Sequence, residues 1–209
     1  MLIDKEDTLQ IDMTRIFARL KKETLEKIQV YERVCDQAES SIHYIFGFYD
    51  TPQWSLRENV NSKIKEKESC LRCGLAEFVG MEDALLHYVD EQKRIKINDS
   101  KDPILHFVRE LRNFEIHIKG GTVRTEKRRF LYSDTFLGIT EKEWDIDIDI
   151  LEIEFHDIKK LRNIKRYTDE EVLIMKESFD QLQKIWGYQE VVRACVEKYC
   201  SMIIDEYKL

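Results

Sequence analysis

Two prolines and seven glycines in 209 residues leave little material for tight turns. A many-stranded sandwich or barrel needs more chain breakers than this. A disordered chain would hold fewer aromatics than the 9 tyrosines and 10 phenylalanines present. Long apolar runs are also missing. Nothing approaches the ~18 residues of a membrane span. The nearest stretch, Ser41 to Tyr49, is short and contains His43. Met1 to Asp7 lacks a basic segment followed by an apolar one, so no secretory signal is expected and the expected setting is cytoplasmic. The five cysteines (Cys35, Cys70, Cys73, Cys195 and Cys200) are an odd number, which speaks against a disulfide framework. Cys70 and Cys73 form a C-x-x-C, yet no second such pair and no H-x3-H accompanies it. The pair also falls inside a helical pattern. Ordinary half-buried helix cysteines are expected there, with no metal and no cofactor.

Charge is plentiful. Charged residues make up 36% of the chain, and 41 acids against 34 bases give a formal net charge of −7. That balance excludes a general, sequence-blind nucleic-acid coat. The charge is segregated, however. Residues 119–130 hold Lys119, Arg124, Lys127, Arg128 and Arg129 against the single acid Glu126, whereas residues 141–157 hold eight acids against Lys142. The acidic segment accounts for the whole formal deficit, so a confined contact with an anion stays open.

Periodicity predicts a mainly α protein: an up-and-down bundle of about five or six helices, with a small antiparallel β insert near residues 122–157. Ile28, Tyr31, Cys35, Ala38, Ile42, Ile45 and Tyr49 alternate at spacings of three and four, which predicts one long helix stopped at Asp50-Thr51-Pro52. This seam is read as core within the chain, with pairing between chains as the alternative. Ile16, Phe17 and Leu20 form a separate apolar patch, out of register across Lys21-Lys22-Glu23. Ile64, Leu71, Leu75, Phe78, Leu85 and Val89 share the stripe of a second helix, which Glu82 interrupts. Either Met81 takes the core position there or Glu82 is a partnered, half-buried carboxylate.

Asp102-Pro103 starts a further helix that Gly120-Gly121 should end. Val123 to Tyr132 and Asp145 to Phe155 read as a basic and an acidic strand, a natural antiparallel pair. A phase shift at Leu151 predicts a bulge near Ile150. Thr168-Asp169-Glu170-Glu171 is a capping box ahead of the stripe Val172, Met175, Phe179, Leu182, Trp186. Gly187 closes that stripe, and a last helix carries Val192, Cys195, Tyr199 and Met202. His43 and His87 fall in helix stripes and are expected at the core or its boundary, and His156 in a turn.

The helix from Pro103 holds the candidate chemistry. At 100° per residue, Ile104, Phe107, Val108, Leu111, Phe114 and Ile118 form its apolar face. His106, Glu110, Asn113 and His117 follow at i, i+4, i+7 and i+11 nearly opposite, flanked by Arg109 and Arg112. An outward face is expected for this stripe. Histidine can exchange protons near neutral pH, and arginine can bind phosphate oxygens through two N–H groups. Such a stripe suits metal-independent cleavage of an RNA phosphodiester. One helix supplies one His117, so two copies facing each other would complete a base and an acid.

Arg112-Asn113-Phe114-Glu115-Ile116-His117 resembles the R-x4-6-H signature of the HEPN superfamily. Those proteins are helical bundles, many of them ribonucleases of toxin–antitoxin, phage-defence and RNA-processing systems. The resemblance covers six residues. It implies a single helical domain over 1–209, with 119–157 inserted as a β-hairpin. It also implies a homodimer with a composite site, and an antitoxin or regulatory protein as a partner. Arg112 would bind phosphate, Asn113 would support it, and His117 would be the acid/base. His106 and Arg109 would line the same substrate groove. The alternative is a catalytically inactive helical dimer that binds protein or nucleotide. For nucleotide there is no Walker-type or G-x-G-x-x-G loop.

Overall fold

The computed structural model describes residues 20–46, 60–117, 122–134, 139–160 and 166–209. In chain order the elements are α1 (Lys22–Ile28), α2 (Glu32–Phe46), α3 (Val60–Leu85), α4 (Pro103–His117), β1 (Thr122–Asp134), β2 (Ile139–Glu152), α5 (Phe155–Ile158), α6 (Asp169–Trp186) and α7 (Tyr188–Tyr207). Two short 3-10 turns, Glu91–Lys93 and Ile97–Asp99, lie between α3 and α4. The protein is therefore a mainly α bundle with a small antiparallel sheet. Each long helix packs on the next: α2 on α3, α3 on α4, α4 on α6, α6 on α7, and α7 back on α2. The ring closes on α7, whose Val192, Cys195, Val196, Tyr199, Cys200 and Ile203 are all buried. Burial drives the Cys195 thiol far above its ordinary value and takes Cys35 to about 11, so both are inert apolar filling. No helix among the described residues is long and apolar enough to cross a membrane.

The first seam is two helices rather than one. Ile28 ends α1, the chain turns through 29–31, and α2 restarts at Glu32. No glycine or proline marks the break, because tertiary contacts stabilise it. Tyr31 stacks on Tyr88 with ring centroids 4.7 Å apart and meets Tyr207 edge-on. The backbone N–H of Arg33, an orphan donor in the first turn of α2, donates to the Tyr88 hydroxyl at 2.9 Å. Ile28, Cys35, Ala38, Ile42 and Ile45 are buried within the chain, so the seam is intramolecular core. The expected stops at Asp50-Thr51-Pro52 and Gly120-Gly121, the patch at Ile16 and Phe17, and Tyr49 lie outside the described residues.

On α3, Leu71, Leu75, Phe78 and Leu85 are buried as the stripe predicts. Gly74 marks the crossing with α2: a Cβ there would clash with the Ile45 side chain, and the Ser41 hydroxyl donates to the Gly74 carbonyl at 2.7 Å. His43 and His87 are exposed rather than packed at the core. His87 lies against the Arg33 guanidinium, 2.6 Å from Nη1.

The basic and acidic strands pair antiparallel, with Arg129 opposite Asp145, Lys127 opposite Asp147 and Thr125 opposite Asp149. No bulge occurs near Ile150, since Arg124–Ile150 and Val123–Leu151 pair in continuous register. The alternation lapses for another reason. Ile148, Asp149, Ile150 and Leu151 are all buried, because the base of the hairpin is covered on both faces by the helices. Phe155 opens the single turn α5 instead of continuing the strand, and His156 lies exposed on that turn.

Two buried polar side chains anchor this base. Gln183 of α6 accepts from the Leu151 N–H at 2.8 Å and donates to the Leu151 carbonyl at 2.9 Å, acting as a one-residue third strand. Asp149 accepts from Lys67, Thr125 and Gln189 at 2.7, 2.6 and 2.7 Å. Residue 187 ends α6 and starts α7 at φ +80°, a backbone that favours glycine.

Candidate functional site

Asp102 sets the start of α4. Its carboxylate accepts from the Ile104 N–H at 2.8 Å and pairs with Lys198 of α7. Burial alone would raise the Asp102 pKa, but these partners hold it below the ordinary carboxylate value. The helix so fixed buries Phe107, Val108 and Leu111, with Phe107 packed on Phe179 of α6 at 5.1 Å between ring centroids. Leu105 is buried as well, so apolar contact wraps further round α4 than the spacing indicates.

At Glu110 the polar stripe does not face open water. The Glu110 side chain is only 1% exposed. It is held by Arg109, which also pairs with Glu82 of α3, and by Arg166 from the segment ahead of α6. Glu82 accepts from the Ile97 N–H at 2.8 Å and from Arg109 at 3.4 Å, while Met81 beside it is fully buried. Both readings of that stripe therefore hold at adjacent positions. Glu110 accepts from Arg109 at 3.2 Å, Arg166 at 2.8 Å and Asn113 at 3.2 Å. Burial pulls the Arg109 pKa down, but Glu82 and Glu110 outweigh it and hold the guanidinium above its ordinary value.

His106 is engaged at both ring nitrogens. Nε2 lies 2.7 Å from the Ser100 carbonyl, and Nδ1 lies 2.8 Å from the Tyr167 hydroxyl. A carbonyl only accepts, so the neutral ring carries its proton on Nε2 and accepts from Tyr167. Burial pushes the Tyr167 hydroxyl above its ordinary value, with Glu110 adding and Arg166 opposing, which keeps the hydroxyl a donor. The Arg166 guanidinium sits over the Tyr167 ring, 4.8 Å from its centroid.

Arg112 differs from its neighbours. Its Nη1 donates to Asn113 Oδ1 at 3.3 Å, its Nε is buried with no hydrogen-bond partner, and no carboxylate among the described residues pairs with it. Arg109 and Arg166 each pair with a carboxylate, and among the described residues Arg112 does not. A half-buried guanidinium whose Nε lacks a hydrogen-bond partner is costly unless an anion completes it. His117 is the last residue of α4, and its side chain lies outside the described residues.

The structure thus places His106, Arg109, Arg112 and Asn113 along one side of α4. It gives His106 and Arg109 protein partners, and among the described residues it gives Arg112 the Asn113 carbonyl and no carboxylate. Arg166 and Tyr167 belong to the same cluster, though spacing along α4 could not show it. Their only signal is the basic run 158–166 that ends beside the capping box at Thr168. At the C-x-x-C, Cys73 is exposed, and the Cys70 thiol is pushed up by burial, by Glu66 and by Cys73 itself. Among the described residues no group of three or more His, Cys, Asp or Glu side chains could hold a metal ion. Compared with protein-family models, with curated proteins and with solved structures, the chain matches none.

Proposed function

We propose that this protein is a HEPN-like, metal-independent endoribonuclease that works as a homodimer, with a phage-defence or toxin–antitoxin role and an antitoxin-type regulatory partner. The observation that carries the reading is Arg112, which pairs with no carboxylate among the described residues, next to Asn113 and five residues before His117. In the proposed reaction an RNA 2′-oxygen attacks the adjacent phosphorus. One His117 takes the 2′-hydroxyl proton, and His117 of a second copy protonates the departing 5′-oxygen. The P–O5′ bond breaks, leaving a cyclic phosphate and a 5′-hydroxyl. Arg112 stabilises the charge that gathers on the non-bridging oxygens.

The test is cleavage of single-stranded RNA with a chelator present. His117→Ala and Arg112→Ala should each slow cleavage about a hundredfold or more. Equal cleavage by all three proteins would remove the chemistry. A dimeric wild type that does not cleave RNA would favour the inactive module that binds protein or nucleotide. That second reading is supported by the structural use the fold makes of His106, Arg109 and Glu110.

A further inference from the structure

We infer that Glu110 is the positioning residue of the motif: it fixes the Asn113 amide, and through that amide the direction of the Arg112 guanidinium. The inference rests on the reading of Arg112 as the anion-binding group.

The geometry assigns separate tasks to the two carboxylate oxygens of Glu110. Oε1 receives Arg109 Nη1 at 3.2 Å and Arg166 Nη2 at 2.8 Å, from α4 itself and from the segment ahead of α6. Oε2 receives Asn113 Nδ2 at 3.2 Å. Two arginines from different parts of the chain thus hold an almost fully buried carboxylate in place. A carboxylate oxygen only accepts, so the Asn113 amide must turn its NH2 toward Glu110 and its carbonyl toward Arg112. The reverse orientation would set Oδ1 against Oε2 and Nδ2 against a guanidinium N–H, with neither contact bonded. The Asn113 carbonyl then takes Arg112 Nη1 at 3.3 Å, which orients the guanidinium while Nε stays without a partner. A carboxylate two residues before the motif therefore does not pair with Arg112 directly. It acts one amide away, and Arg112 keeps its charge. Direct contact between Glu110 and Arg112 would abolish the site that the relay orients.

Glu110→Gln tests the relay, because it replaces an acceptor-only group with one that can donate toward Asn113. Affinity for a short single-stranded oligoribonucleotide is measured by fluorescence anisotropy for the wild type, Glu110→Gln, Asn113→Ala and the double variant. Glu110→Gln should weaken binding about three- to tenfold in the wild-type background and leave it nearly unchanged in the Asn113→Ala background. The same loss in both backgrounds would overturn the inference, since a merely structural role for Glu110 is indifferent to Asn113. The Asn113 side-chain NH2 resonances give a readout independent of RNA. Glu110→Gln should shift them and speed their exchange with water, and an unchanged signal would overturn the inference. If the wild type and Arg112→Ala bind RNA equally, the proposed function fails, and the amide signal still decides whether the relay exists.

Discussion

Removing the Glu82 carboxylate should separate two contributions that the structure assigns to it. Glu82 accepts the buried Ile97 N–H at 2.8 Å and faces Arg109 at 3.4 Å, with side-chain exposures of 8% and 20% for the pair. Glu82→Gln keeps an oxygen for Ile97 and removes only the charge. At an effective dielectric of about 20, the gross attraction at that distance is about 5 kcal/mol. Most of this is offset by relieved desolvation, and Arg109 keeps Glu110 at 3.2 Å. A net loss of about 1–2 kcal/mol is expected. Glu82→Ala also strands the Ile97 N–H and opens a cavity between α3 and α4, for a total of about 3–5 kcal/mol. Urea unfolding at neutral pH, read as a shift in midpoint at constant slope, measures both variants. Equal losses would mean that the charge, not the Ile97 bond, dominates. Losses below about 0.5 kcal/mol in both would refute the assignment of Glu82 as the tie between α3 and α4.

Other consequences are as direct. Gln183→Leu strands the N–H and carbonyl of Leu151 under the hairpin and should cost about 2–5 kcal/mol, visible as a lower urea midpoint. Gly187→Ala forces a side chain onto φ +80° and should cost about 1–3 kcal/mol by the same measurement. Asp102→Asn keeps an acceptor for Ile104 but loses the charge pair with Lys198, which is half exposed, so about 0.5–1 kcal/mol is expected at pH 6. The folded Asp102 pKa lies below its ordinary value. Its contribution is therefore complete above about pH 4 and fades as pH falls through the lower folded value. The gap between wild type and Asp102→Asn should hold above about pH 4 and narrow as the solution is acidified below it, and a gap that stays constant through acidification until unfolding would contradict this.

Much of the architecture is legible along the chain because it is local. The Thr168–Glu171 capping box, the Asp102-Pro103 start and the Gly187 stop are short-range stereochemistry, and each appears where the spacing puts it. The opposed charges of the two strands likewise fix their pairing. What sequence spacing misses is long-range. The break at 29–31 depends on Tyr88 and Tyr207, far along the chain. The expected bulge at Ile150 assumes a strand with one wet face, whereas Gln183 and the helices cover both. The polar stripe on α4 raises the same difficulty. A helical wheel identifies which residues share a side but not what covers that side. Glu110 looks solvent-facing until Arg166, 56 residues later, closes over it. The Arg112-Asn113 pair was readable from the motif. That Arg112, unlike Arg109 and Arg166, pairs with no carboxylate among the described residues depended on where Glu82 and Glu110 point.

The central claim is that Arg112, which pairs with no carboxylate among the described residues, is available to an anion. Its most direct test is the salt dependence of oligoribonucleotide binding for wild type, Arg112→Gln and Arg166→Gln. Arg112→Gln should weaken binding about tenfold or more and lower the slope of log affinity against log salt by about 0.7, the value for one lost phosphate contact on a single strand. Arg166→Gln, whose charge is already spent on Glu110, should leave the slope nearly unchanged. The account is contradicted if Arg112→Gln binds with the wild-type affinity and slope.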